Sequence, residues 1–359
     1  MSLNKKKTGL YPVTAGADKY VPADEDFVFI GDDVDISIDS NYSALGYWHE
    51  AFLRFVNKKS AMIGLLFIAL ITVFAIVGPG MNEYTYSVQN LSEKNLAPRI
   101  PLIEYSGLFD GSEVMRTTSG FKKVNGYFEK QLGDVFYWFG SDNFGRDIWT
   151  RTWSGARVSL IIAVAAAVID MLIGLTYGLI SGYFGGAVDI VMQRFLEICN
   201  GIPRLVIVTL LLLVLKPGMV TIVIALMLTE WMSMSRIARA EMLKLKEREF
   251  VLASRTLGAG SMHIIFSEIL PNIIGPVITQ VMFSIPTAIF TEAFLSFVGL
   301  GIPVPQCSLG SLISEGFNSF TTHPYQIIPP IVVMALLMLS FNLVADGLRE
   351  ALDPKLKEQ

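Results

Sequence analysis

The sequence predicts an all-α polytopic membrane protein with six transmembrane helices and a soluble insert between the first and second. Three observations carry that expectation. Apolar residues make up 52% of the 359 positions against 17% charged, with a mean hydropathy of +0.51, whereas a water-facing shell normally needs about a quarter charged residues. The apolar residues gather into runs long enough to cross a bilayer. Only one long stretch between them, from Met81 to about Trp138, is polar.

The same composition excludes several function classes. The net charge of -4 comes without a clustered basic face, so nucleic-acid binding is dropped. Cys199 and Cys307 lie far apart, one inside an apolar run, and read as small apolar residues rather than a disulfide. No Gly-Lys pair occurs, hence no phosphate loop, and any nucleotide hydrolysis must come from another chain. His49, His263 and His323 are isolated, and neither HExxH nor Gly-x-Ser-x-Gly appears, which argues against an intramembrane enzyme and a metal site.

Residues 1–59 carry Lys5-Lys6-Lys7 and the acids Asp24-Glu25-Asp26 and Asp32-Asp33-Val34-Asp35, and are expected to form a polar tail. Within it, Trp48, Phe52, Phe55 and Val56 at helical spacing suit an interfacial helix or an ordinary helical lead-in. The first apolar run begins near Ser60, behind this tail, so it is expected to remain as an anchor rather than a cleaved signal. Ser60 to Val77 is uncharged and reaches roughly 27 Å as a helix, which makes residues 60–78 the first span, ended by Gly78-Pro79-Gly80. The insert, 79–138, has aromatic clusters at 126–128 and 135–139 that suit strands.

Span two is expected over Val158–Gly182, uncharged except for Asp170. Gly174, Gly178 and Gly182 recur every four residues and predict a close helix-packing face. Span three runs from about Ile190, kinked at Pro203; span four from Met219 to about Ile237, containing Glu230; span five over Ile273–Val298, containing Glu292; span six over Ile327–Val344. Residues 299–325 read as a Gly, Pro and Ser-rich loop. The intramembrane acids Asp170, Glu230 and Glu292 are candidates for lining a pathway or for interior hydrogen bonding, and a self-sufficient secondary transporter or channel would use them as a relay.

Basic residues in short flanks fix the expected topology. Arg54, Lys58 and Lys59, then Arg236, Arg239, Lys244, Lys246, Arg248 and Arg255, then Arg349, Lys355 and Lys357 share one side, against Lys216 in the opposite short loops. Both termini and the 238–272 loop are therefore expected in the cytoplasm and the insert outside. In that loop Phe250, Ala253, Ser254 and Leu257 form one helical stripe with two tiny members, suited to settling in a partner's cleft. Gly258 can stop the helix in the left-handed conformation, and Pro271 limits where the next one starts.

The stretch Ala253-Ser-Arg-Thr-Leu-Gly258, with Leu270-Pro271 after it, resembles the EAA motif of permease subunits in ATP-binding-cassette importers. Leu252, Ser254 and Glu268 depart from that pattern, while Glu249 upstream is similar to the peptide-transporter form. The segments 140–147, 155–159, 182–189, 292–301 and 341–349 look like the C-type permease of dipeptide and oligopeptide importers, in register over 139–354. The resemblance implies the type I importer permease fold in a bacterial cytoplasmic membrane, with 139–354 as its core and a coupling helix at about 249–258. It also implies a heterodimer with a second related permease, two cytoplasmic ATPases that bind ATP and Mg, and an external solute-binding protein that delivers peptide. The coupling residues would be Glu249, Phe250, Ala253, Ser254, Leu257 and Gly258, and the chain itself would hold no cofactor. The large insert points to oligopeptides, with dipeptides or nickel chelates as alternatives.

Overall fold

The computed structural model describes residues 47–107, 109–117 and 120–352. The polar tail expected at 1–46 and the flanking Lys355 and Lys357 lie outside the described residues. Helix α1 (Tyr47–Asn57) is amphipathic, with Ala51 buried and Trp48, Phe52 and Val56 exposed. Helix α2 (Lys59–Val77) is the first span, carried on by a short 3-10 turn through Gly80. The turn is locked by aromatics: a Cβ on Gly78 would come within 2.7 Å of Trp153, and Trp149 Nε1 donates to the Gly78 carbonyl at 2.9 Å.

In the insert the strands fall elsewhere than the aromatic clusters suggest. An antiparallel hairpin joins β1 (Ser112–Thr117) to β2 (Gly120–Asn125), while 126–129 form a short helix, α3 (Gly126–Glu129), and 135–139 are irregular. The reason is that the aromatic side chains build a small core of their own. Tyr127 and Tyr137 bury against Leu96, Tyr84 stacks on Tyr137 at 4.4 Å, and Arg99 lies 4.4 Å over the Phe136 ring. Asn125 then caps α3 by accepting from the Tyr127 and Phe128 amides.

Span two begins well before Val158, because Asp147 caps α4 (Ile148–Ile169) by accepting from the Thr150 amide at 2.8 Å. A π-turn over Asp170–Gly174 follows, then α5 (Leu175–Phe184), and the whole run of 37 residues passes as one span. Helices α6 (Gly186–Gly201) and α7 (Arg204–Val214) meet at an 81° bend beside Pro203, sharper than a simple kink. Helices α8 (Met219–Thr229) and α9 (Trp231–Leu245) form the next span, interrupted at Glu230 and longer than the expected end at Ile237.

Helix α10 (Glu249–Thr256) stands apart from the spans. Pro271 does not start the following span, which runs helically from α11 (Ser261–His263) through a π-turn at Ile264–Ile269 into α12 (Leu270–Phe297). The wider π-turn absorbs the missing proline donor: the Leu270 amide reaches back five residues to Ile265, and the Asn272 side chain satisfies the Glu268 carbonyl at 2.6 Å. The expected loop 299–325 holds a further helix, α13 (Leu309–Asn318), started by a Ser308–Ser311 capping box and seated so closely that a Cβ on Gly310 would meet Ala293 Cα at 2.3 Å. Last, α14 (Ile328–Leu352) packs along α2 and α12. Among the described residues, five helical runs are thus long and apolar enough to span, six with the bent pair.

Candidate functional site

Three features of the bundle concern function: the short helix α10, a groove beside it, and a charged cluster at the end that carries the insert.

Helix α10 has one buried side chain, Val251. Val251 is fully buried among Leu179, Met242, Ile264 and Ile265, and Arg255 lies 5.7 Å over the Tyr183 ring. The helix ends in a Schellman arrangement: Gly258 sits at φ +87, its amide bonds the Arg255 carbonyl, and the Ala259 amide bonds the Ser254 carbonyl. Of the residues singled out in the sequence, Glu249, Phe250, Ala253, Leu257 and Gly258 are exposed and Ser254 is half-buried. Leu257 is 88% exposed and Leu252 45% exposed, so the outward face is apolar. Val251 was not among the sequence candidates; it lies on the flank of their stripe, three residues before Ser254.

The body under α10 is packed through small residues. On Gly174, Gly178 and Gly182 a Cβ would meet Trp231 O at 2.4 Å, Ser235 O at 2.2 Å and Met242 Cγ at 2.7 Å, so α5 and α9 run in backbone contact. Across the same face Arg239 clamps Asp189 with two bonds of 2.6 and 2.5 Å, and Lys246 Nζ donates to the Gly182 carbonyl.

A groove of about 1040 Å³ opens between α9 and the first half of α12 on one side and α1 and the end of α14 on the other. Asn272, Thr279, Gln280 and Phe283 of α12 line it together with Lys244 of α9, Trp48 of α1 and Arg349 of α14. The three intramembrane acids do not line this groove. Glu292 is fully buried and accepts from the Ser159 hydroxyl at 3.1 Å and the Ser296 hydroxyl at 2.8 Å, which ties α4 to α12. Asp170, 2% exposed, accepts from the Ser284 hydroxyl, and Glu230 sits buried at the interruption between α8 and α9. The amides and hydroxyls of α12 escaped the sequence reading because they are scattered singly through a run that stays apolar on average.

At the opposite end Arg146 and Arg151, both buried, converge on Glu315 of α13. Arg146 Nη2 donates at 2.6 Å and Arg151 Nη2 at 2.9 and 3.0 Å, while Arg146 Nε holds Asp142 at 2.6 Å. Nearby Gln326 bonds Asn95, Asn143 bonds Ser319, and His323 meets Glu113 at 3.1 Å, so insert, α4 and α13 are cross-tied. A small cavity of about 140 Å³ lies inside this cluster. Among the described residues no group of three or more His, Cys, Asp or Glu forms a metal cage.

Residues 174–358 match the family described as the inner membrane component of binding-protein-dependent transport systems, and residues 46–98 match the N-terminal domain of oligopeptide transport permease C. The chain is 41% identical over 315 residues to the oligopeptide transport system permease protein OppC of Bacillus subtilis, covering 88% of this chain and 92% of that protein. It is 38% identical to the dipeptide transport system permease protein DppC of Bacillus subtilis, covering 88% of each chain, and 41% identical to DppC of Lactococcus lactis, covering 88% and 92%. A solved structure of the MetNI methionine ABC transporter in an inward facing conformation aligns with TM-score 0.49 at 16% identity, covering 56% of this chain and 96% of that one.

Proposed function

The chain belongs to the family of inner membrane components of binding-protein-dependent transport systems, and from that premise we propose that it forms half of the translocation pathway of an ATP-driven oligopeptide importer. The observation that carries the reading is α10: a short helix anchored by one buried valine, with Phe250, Leu252 and Leu257 turned outward. Such a face on a helix outside the spans suits a cleft in a soluble partner, and an ATPase subunit supplies that cleft. The groove is the wall of the pathway. Its amides and hydroxyls on α12 suit the backbone groups of a peptide, which need hydrogen-bond partners once water is left behind. The basic residues around α1, α9 and α10 support a cytoplasmic side for α10 by the positive-inside rule, with both termini on that side and the insert facing the external binding protein. A second related permease completes the pathway, and ATP and Mg are handled by two ATPase subunits.

The oligopeptide assignment is favoured by the match of residues 46–98 and the large insert. A dipeptide substrate is the second reading, supported by the equally close dipeptide permease relative. Titrating labelled peptides of graded length against the cognate binding protein and the assembled transporter separates the two. The docking itself is tested with Ala253→Cys: a disulfide crosslink to an ATPase subunit is expected in the ATP-cycling complex, and its clean absence refutes the assignment.

A further inference from the structure

The charged cluster at the insert end of the bundle carries a cationic donor that its own carboxylates do not satisfy. Arg146 and Arg151 are both buried there, with their guanidinium groups turned to Asp142 and Glu315. Each oxygen of the two carboxylates already accepts. Asp142 Oδ1 takes the Phe144 and Arg146 amides at 2.8 and 3.0 Å, and Oδ2 takes Arg146 Nε at 2.6 Å. Both oxygens of Glu315 are held by Arg151 Nη2, and one of them by Arg146 Nη2 as well. Arg151 Nε differs: it is buried, has no hydrogen-bond partner among the described residues, and stands 3.7 Å from Asp142 Oδ2, too far to donate. A buried charged N–H in that position calls for an acceptor.

Both arginines line the cavity of about 140 Å³, whose lining also includes the exposed residues Asn143, Phe144 and Asn318, so it is reached from solvent. At roughly 30 Å³ of liquid per water it has room for a few water-sized groups, a carboxylate with its α-carbon and little more. An ammonium group would find every carboxylate oxygen already paired, whereas an anion finds the Arg151 N–H and the charge of two guanidinium groups. Their planar donor fork suits a carboxylate. Glu315 can make way for one. Its side chain is 34% exposed and can turn outward, while Asp142 is pinned by the amides of its own loop. Resting on the peptide-import reading above, we infer that this cavity receives the C-terminal carboxylate of the peptide by exchange with Glu315. A site of that size reads the terminus that every linear peptide shares and no side chain, so it is indifferent to sequence.

The test uses the assembled transporter in lipid vesicles with its cognate binding protein saturated by peptide, so that the binding protein's own preference drops out. An alanine peptide is supplied as the free acid and as the C-terminal amide. ATP-driven uptake of the acid is expected to exceed that of the amide about tenfold, the effect of one charge-assisted hydrogen bond. Glu315→Gln keeps an acceptor for the guanidinium groups and removes the competing charge. It is expected to raise the acid-to-amide ratio by a further factor of about two to five, the effect of one partly exposed charge. Arg151→Gln is expected to abolish the preference; should that variant fail to assemble, the Glu315→Gln ratio decides. A merely structural cluster would change both rates together and leave their ratio alone. The source of the carboxylate is read on the same complex without binding protein, where N-acetylglycine is expected to slow hydrogen exchange over residues 142–146 and 312–316 and N-acetylglycinamide is not. Slowing that needs the binding protein assigns the site to an acidic side chain of that protein and overturns the inference. Equal uptake of acid and amide in the parent, or an unchanged ratio in Glu315→Gln, overturns the site and leaves the importer reading standing; absence of any ATP-driven uptake of the free acid removes both.

Discussion

Replacing Gly178 by alanine inserts a single methyl group at the tightest point of the α5–α9 seam. The added Cβ would stand 2.2 Å from Ser235 O, 2.7 Å from Ala238 Cβ and 2.9 Å from Arg239 N. Two of these are backbone atoms that no rotamer change can move aside, so α9 must retreat bodily. Overpacking of this kind costs about 3 kcal/mol at the upper end of the usual range, against about 1 kcal/mol that alanine recovers over glycine in a helix. The net expectation is a loss of about 2 kcal/mol. Gly201, at the end of α6, provides the matched control, because a Cβ there meets nothing within 4 Å; alanine is expected to be neutral or to gain up to about 1 kcal/mol. Thermal unfolding of the detergent-solubilised complex, followed by intrinsic fluorescence, should shift down for Gly178→Ala and stay level or rise for Gly201→Ala. Equal midpoints for the two variants would refute the close backbone seam. The retreat of α9 also loosens the Arg239–Asp189 clamp, so transport by Gly178→Ala should fall more than its assembly does.

Three other outcomes follow from the packing. Val251→Ala removes the only fully buried anchor of α10 and is expected to destabilise that segment by about 1–3 kcal/mol; faster hydrogen exchange confined to residues 249–258 is the readout, and unchanged exchange refutes the anchor. Glu315→Ala leaves the buried guanidinium groups of Arg146 and Arg151 with Asp142 as the one carboxylate paired to them among the described residues, at a cost of about 3 kcal/mol. Limited proteolysis between residues 299 and 320 should then increase, whereas Glu315→Asp should fall between parent and alanine. Burial pushes the Cys307 thiol up from its ordinary 9.0 to about 11. Folding therefore favours the protonated form: the contribution is constant below about 9 and is lost as the pH climbs from 9 towards 11. Maleimide labelling at pH 8 should leave Cys307 unmodified until the protein is denatured; labelling of the native protein at the rate of a free thiol would contradict this.

What the sequence determined alone is whatever depends on neighbours along the chain. The span-forming runs were legible because crossing a bilayer needs an unbroken apolar length, and a run such as Ser60–Val77 declares that length locally. The helix at 249–256 and its stop at Gly258 were legible for the same reason, since helical spacing and a left-handed glycine are read within ten or so residues. The glycines at 174, 178 and 182 declared a face by their period, though not which helix it meets. The tertiary structure alone decided the partners. Ser284 meets Asp170 from 114 positions away, Ser159 meets Glu292 from 133, and Arg146 meets Glu315 from 169. No periodicity encodes such pairings, because the partner of a buried polar side chain is set by which helices pack together and not by its neighbours along the chain. The same limit hid α13, whose Gly and Ser content reads as loop until Ala293 and Ile327 are seen closing on Gly310 and Gly316. It also hid how α12 is seated, since that helix is one apolar run in sequence and meets the π-turn of α4–α5 through a single serine, Ser284.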